Sequence, residues 1–386
     1  KLEKLIIKII NNNKLLKTIQ KNNLNNIMHG LDNQVAKLDI LKRNLFIKKI
    51  NYFSNKNLKI LHIGNFDERN DHRLYNISIA NKITHGFIRN DHDVVNFSYR
   101  DYKKKLFLKN STSINQKIFN ISENYRPDLI VLGHNNVLDA NTIESIKSKY
   151  KTKFALWYED HLIKGGPNAT NNLNLIEKNE DLIDQYFVTT HPDPIKTKIS
   201  KSKINFMPIP ADKNIEDLTI YDSNDRYKDL FFALSHGVNF GKLKSRNNDD
   251  RELFINELIN KNEKFNFNIL GYAHEQPKWN YEFYNELSKC KMALNLSRGK
   301  PMKYYSSNRV ASLVANGIMT FIDKKTMYGD FFSSDEMGFY KDVPDLLNQM
   351  DKLNGNFNKI NKISKNGKKK YFSIFNNTII SEYILF

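Results

Sequence analysis

A chain of 386 residues with 40% hydrophobic and 12% aromatic side chains is too long for one ordinary core and too apolar for disorder, so two packed domains are expected. The single cysteine, Cys290, excludes an internal disulfide framework and a cysteine-ligated zinc site, and it fits a reducing cytoplasm. Sixty Lys and Arg against 42 Asp and Glu leave +18, which would attract phosphate, nucleic acid or an anionic membrane; with the lysines spread along the chain, drift toward Lys, Asn and Ile is the plainer explanation.

The chain starts KLEKLIIKIINNN, with Lys rather than Met, as expected of a piece of a longer protein. It shows no signal-peptide cleavage pattern, and no run of about 18 apolar residues follows. Residues 1–50 read as a polar helical segment. Leu24, Met28, Leu31, Val35 and Leu38 fall at steps of four, three, four and three, a short heptad seam. That seam suits either a homo-oligomer through residues 20–45 or an amphipathic helix packed on its own domain.

From residue 58 short apolar runs alternate with helical patterns. LKILHIG (58–64), DVVNFS (93–98), DLIVLGH (128–134), KFALWY (153–158) and QYFVTT (185–190) read as buried parallel strands. INFMPIPAD (204–212) reads as the last strand of this set and its exit, and the polar stretch 213–228 as the domain boundary. A second set follows, with strands DLFFALS (229–235), FNFNILG (265–271), KMALNLS (291–297) and GIMTFID (317–323), then helices to the end. Such alternation predicts two doubly wound α/β domains, over 51–215 and 216–386, with the carboxyl ends of their strands facing a ligand cleft.

Four strand ends could carry chemistry. The first, HIGNFDERNDHRLYN, offers Asn65, Asp67, Arg69, His72 and Arg73, either as acceptor contacts or as a solvated loop. The fourth, KFALWYEDHL, turns abruptly from aromatics to Glu159, Asp160 and His161. A carboxylate at a buried strand end is readily given a raised pKa or a catalytic role, although both acids could instead cap the next helix. His161 has no companion at metal-ligand spacing, so no metal site is expected. Then FFALSHGVNFGKLKSR joins a strand to Ser235, His236, Gly237 and Gly241, followed by Lys242 and Lys244. Glycine backbone N–H groups and trailing cations suit a phosphate, though not in the P-loop spacing. Finally LNLSRGKPMKYYSSNRVASLVANG runs from a strand through Arg298 to a helix start at Ser306, Ser307, Asn308 and Arg309. Ser306 or Ser307 is expected as N-cap, leaving N–H groups for an anion. Arg309 opposes the helix dipole there, which suggests an anionic partner, either a ligand or a nearby acid.

SHGVNFGKLK (235–244), ILGY (269–272), NLSRGKP…SSNRVASLVANG (295–317), FFSSDEMGFYKDVPDLLNQM (331–350) and GKKKYFSIFNNTIISEYIL (367–385) together resemble the CgeB-like group of GT-B glycosyltransferases. The resemblance covers most of 229–386, and the first half is similar only as a Rossmann-like domain. It implies a nucleotide-sugar donor on the second domain, held by Ser235, Gly237, Gly241, Lys242, Lys244, Gly271, Arg298, Ser307, Asn308 and Arg309. It further implies a glycan or lipid-linked acceptor on the first domain, and catalysis by Glu159, Asp160 and His236 without a metal or other cofactor. Relatives often carry Glu where this chain has Ser312, which leaves the nucleotide open. A more distant similarity, through WYEDH and SHGVNFG, is to retaining Kdo transferases that use a cytidine monophosphate donor. A cytoplasmic enzyme, peripheral at the inner face of a membrane, is the corresponding expectation. An NAD-dependent epimerase would want G-x-G-x-x-G after the first strand, and HIGNFDERN lacks it. A nucleic-acid-binding protein would want a basic stripe, which is not evident, and a non-catalytic scaffold is the remaining rival.

Overall fold

A computed structural model describes residues 57–66, 72, 74–105, 113–134, 136–234, 250–273 and 275–385. The segment 1–50 with its heptad seam therefore lies outside the described residues.

Six parallel strands form the first sheet: β1 (Lys59–Gly64), β2 (Asp93–Ser98), β3 (Leu129–Gly133), β4 (Lys153–Tyr158), β5 (Gln185–Val188) and β6 (Ile204–Phe206). Their order is β2-β1-β3-β4-β5-β6. Helices α1 (Ile79–Arg89), α2 (Tyr99–Lys105), α3 (Ile114–Tyr125), α4 (Ala140–Tyr150) and α5 (Ala169–Glu177) connect them. The second sheet holds β7 (Lys228–Ala233), β8 (Phe267–Leu270), β9 (Cys290–Asn295), β10 (Met319–Asp323) and β11 (Gly338–Tyr340), also all parallel. Reading from β8, its order is β8-β7-β9-β10-β11, so both sheets begin with the same 2-1-3-4-5 winding. Its helices are α6 (Arg251–Asn260), α7 (Asn280–Ser288), α8 (Arg309–Val314), α9 (Val343–Leu353), α10 (Phe357–Ile374) and α11 (Asn377–Ile384). This is the GT-B arrangement of two Rossmann-like domains, and both sheets belong to one compact unit.

The strands are apolar on both faces because both faces are covered. In β7, Leu230 and Phe232 enter one core cluster while Phe231 and Ala233 enter another. In the first sheet Leu61, Ile130, Leu132, Phe154 and Leu156 share one cluster. The opposite face holds a polar chain: Trp157 Nε1 donates to His62 Nε2 (3.0 Å), and His62 Nδ1 lies 2.9 Å from Thr84 Oγ1, which donates to Asn96 Oδ1 (2.9 Å). Accepting at Nε2 leaves the proton on Nδ1. Burial lowers the pKa of His62 to about 3, so the ring is neutral.

Two elements differ from the sequence reading. Strand β11, only three residues long, is too short for a periodicity to mark. The closing stretch GKKKYFSIFNNTIISEYIL, whose pattern marks no break, is divided between two helices, because Phe375 and Asn376 pair with the chain leaving the first sheet. Ala211 N–H donates to Phe375 O (2.9 Å) and Asn377 N–H to Ala211 O (2.8 Å). Asn376 then caps α11 through Ile379 N–H (2.8 Å), and α11 packs on α1 of the first domain.

Candidate active site

The switch point of each winding falls between its first and third strands, β1/β3 and β7/β9, where doubly wound sheets bind ligands. In the first sheet, His134 follows β3 directly and Glu159 follows β4. The ladder continues one step past β3, with His134 N–H donating to Trp157 O (2.9 Å). His134 then adopts φ +57°, a left-handed conformation uncommon outside glycine. Its ring lies flat on Tyr158, with centroids 4.9 Å apart and planes 8° apart. Nδ1 stands 3.7 Å from Glu159 Oε1, and Nε2 stands 3.6 Å from Asp160 Oδ2.

Glu159 is anchored by its backbone, whose carbonyl accepts from Thr189 Oγ1 (2.7 Å). Its side chain reaches the other domain, where Oε2 accepts from Asn308 Nδ2 (2.9 Å). The same Asn308 nitrogen also donates to Ile77 O (3.3 Å), so the start of α8 is tied to the first domain twice. Burial raises the Glu159 pKa; His134 lowers it, Asp160 raises it, and the Asn308 hydrogen bond and Lys82 lower it. Asn308 Oδ1 and His134 Nδ1 are buried without a hydrogen-bond partner. Neither Glu159 nor Asp160 caps the next helix, because α5 begins only at Ala169 after Asn168.

In the second domain, the end of β9 and the stretch after it are stapled to the start of α8. Asn295 Nδ2 donates to Ser306 Oγ (2.8 Å), and Ser307 N–H donates to Ser297 Oγ (3.0 Å). The expected serine N-cap is thereby corrected. Ser306 and Ser307 are spent on this staple, Asn308 is the N-cap residue, and no side chain caps the six-residue helix. Arg309 donates to Leu296 O (3.0 Å) and Ser307 Oγ (3.3 Å), and its guanidinium lies 4.9 Å over the Phe232 ring. Protein groups thus already offset its opposition to the helix dipole. Arg298 Nε is buried without a hydrogen-bond partner, and Gly299 next to it packs on the first domain, where an added Cβ would stand 2.8 Å from Pro167 Cδ. Gly271 has a structural reason for its identity, since at φ +67° a Cβ would meet Leu234 O at 2.1 Å. Ser312 is fully buried, and its Oγ has no hydrogen-bond partner.

The structure thus brings Glu159, Asp160 and Asn308 together and sets Ser307 and Arg309 on the same helix start. Asn65 directly follows β1 and has a buried Oδ1 lacking a hydrogen-bond partner, while His72 is exposed and its carbonyl accepts from Tyr75 N–H (2.9 Å). Asp67, Arg69, Arg73, Ser235, His236, Gly237, Gly241, Lys242 and Lys244 lie outside the described residues. Sequence reasoning missed His134, although a histidine placed directly after LIVLG was a usable signal. Among the described residues no group of three or more His, Cys, Asp or Glu is placed to hold a metal, and no helix is long and apolar enough to cross a membrane.

Several solved structures share the fold. An α-glucosyltransferase in complex with UDP and a 13-mer DNA superposes with a TM-score of 0.54 at 12% identity, over 84% of this chain and 98% of that one. HepE from Anabaena in complex with UDP gives 0.53 at 11% identity, over 85% and 98%. At this identity the likeness concerns the fold. Residues 246–382 match the family described as glycosyl transferase-like. Fold and matched segment point the same way: the architecture is GT-B, and the stretch 246–382 within it is glycosyl transferase-like. No curated protein matches the sequence.

Proposed function

We propose that this chain transfers a sugar from a uridine diphosphate donor to a hydroxyl acceptor, with Glu159 as the base. The observation carrying this reading is the Glu159–Asn308 hydrogen bond (2.9 Å), which sets a carboxylate at a strand end against the helix start of the opposite domain. The glycosyl transferase-like match over 246–382 and the UDP bound by proteins of this fold support the donor class. The ordered segments SHGVNFGKLK and NLSRGKP…SSNRVASLVANG support the CgeB-like subfamily.

In this reading the anomeric carbon–oxygen bond to the diphosphate breaks and its electron pair leaves with the phosphate. The acceptor oxygen forms the new bond and gives its proton to the Glu159 carboxylate. A raised pKa makes Glu159 a stronger base than an exposed carboxylate. Arg298 and Arg309, with Lys242 and Lys244, neutralise the leaving phosphate without a metal, and the Ser307 hydroxyl and the N–H groups of Gly237 and Gly241 donate to it. The buried Asn308 Oδ1, without a hydrogen-bond partner, is suited to a sugar hydroxyl, which can donate to it. The acceptor lies on the first domain beside Asn65 and His72.

The test is nucleotide release from UDP-glucose, GDP-mannose and CMP-Kdo by wild type and Glu159→Gln. Turnover of the UDP-sugar by wild type alone supports the proposal. Turnover only of CMP-Kdo would move the chain to the acidic-sugar transferases, and equal turnover by both proteins would remove Glu159 from the mechanism.

A further inference from the structure

Resting on that reading of Glu159, we propose that His134 is its positioning residue, an imidazole that keeps the carboxylate ionised and aimed across the cleft. The argument starts from the backbone. A non-glycine residue at φ +57° is held there by its surroundings, and such strain concentrates where a side chain must be re-aimed. Here it follows β3, one of the two strands flanking the switch point of the first sheet.

Three contacts then define where the ring goes. It stacks on Tyr158 at 4.9 Å, the residue immediately before the two acids. One nitrogen stands 3.7 Å from Glu159 and the other 3.6 Å from Asp160. A ring with one nitrogen toward each carboxylate can serve both only when protonated, since the neutral form has a single N–H. The separations exceed hydrogen-bond length, so the coupling is by charge and leaves Glu159 Oε1 open to an acceptor hydroxyl while Oε2 accepts from Asn308. Further groups bear on Glu159. Asp160 opposes its ionisation, Lys82 of α1 favours it, and Asn308 of α8 donates to it. Lys82 is already matched by its buried ion pair with Glu216, and Tyr305, from the segment leading to α8, is neutral near pH 7. His134 is therefore the nearest side chain able to carry a positive charge toward Glu159 that is not already matched by a dedicated partner elsewhere.

The sign follows. Removing the imidazole removes a cation that favours the carboxylate, so the pKa of Glu159 rises. Activity needing the carboxylate then fails at a higher pH. His134→Asn is the variant of choice because asparagine tolerates a left-handed backbone. The acid limb of its kcat/KM profile should move up by about one pH unit, roughly tenfold in rate below the midpoint, with KM for the donor little changed. The Glu159 carboxyl carbon resonance, assigned by its loss in Glu159→Gln, should show the same upward shift whether or not the protein turns over a sugar. Failure of the transferase reading is thus separable from failure of this one. Linkage requires the reciprocal effect, so Glu159→Gln should lower the midpoint of the His134 ring resonances in a protein whose His134 is intact. An unshifted Glu159 midpoint in folded His134→Asn, or an unshifted His134 midpoint in Glu159→Gln, would reduce His134 to packing on Tyr158 and overturn the proposal.

Discussion

Two charged clusters join the domains, and they are built to opposite rules. Where the chain leaves the first sheet, Asp212 accepts at Oδ1 from Arg89 (2.8 Å) and Asn214 N–H (2.9 Å), and at Oδ2 from His85 (2.6 Å) and Asn377 (3.1 Å). Glu216 beside it is ion-paired with Lys82 and accepts from Asp212 N–H (2.8 Å), so all four carboxylate oxygens are satisfied. In the cleft, His134 stands 3.6–3.7 Å from its two carboxylates, and polar atoms of His134 and Asn308 remain without hydrogen bonds. A buried network with every carboxylate oxygen matched fixes a structure, while an open one keeps capacity for a ligand. Burial raises the pKa of Glu159, whereas at Asp212 the bonds from His85 and Arg89 overcome burial and bring the pKa down to about 2.

The contrast is testable from either side. Glu159→Gln should cost about 10²- to 10⁴-fold in kcat with a melting temperature near that of wild type, read by nucleotide release and thermal melts. Asp212→Asn should show the converse, losing about 1.5–3 kcal/mol of stability because the buried carboxylate that binds the partly exposed Arg89 and His85 is gone. If urea titration finds it as stable as wild type, the Asp212 network is not the structural element described. Asn308→Ala should fall between, with kcat/KM down about tenfold for one lost charge-assisted bond, alongside a small loss in melting temperature. A further effect concerns acid. The pKa of Asp212 is lower in the folded state than in the unfolded chain, so its stabilisation is full above about pH 4 and fades as pH falls toward 2. That amounts to about 2 kcal/mol, and Asp212→Asn should flatten this part of the stability profile.

Much of this fold was legible because buried parallel strands are near-continuous apolar runs, as in LIVLG and FALWY. What escaped did so for physical reasons. Strand β11 is shorter than any period, and the break between α10 and α11 depends on a distant pairing with Ala211. Glu159 was visible as an acid at the end of an aromatic strand. His134 showed only as a histidine after LIVLG, since its role depends on a left-handed backbone turn and on its ring stacking on Tyr158 of the adjacent strand. The serines before α8 misled because their hydroxyls serve Asn295 and Arg309 rather than the helix.

The central claim is that the cleft between the two sheets takes a nucleotide-sugar donor. Calorimetric titration of the full chain with UDP, GDP, ADP, CMP and TDP tests it most directly. The account predicts saturable binding of UDP at one site, tighter than the other four. Absence of binding by all five nucleotides would contradict it.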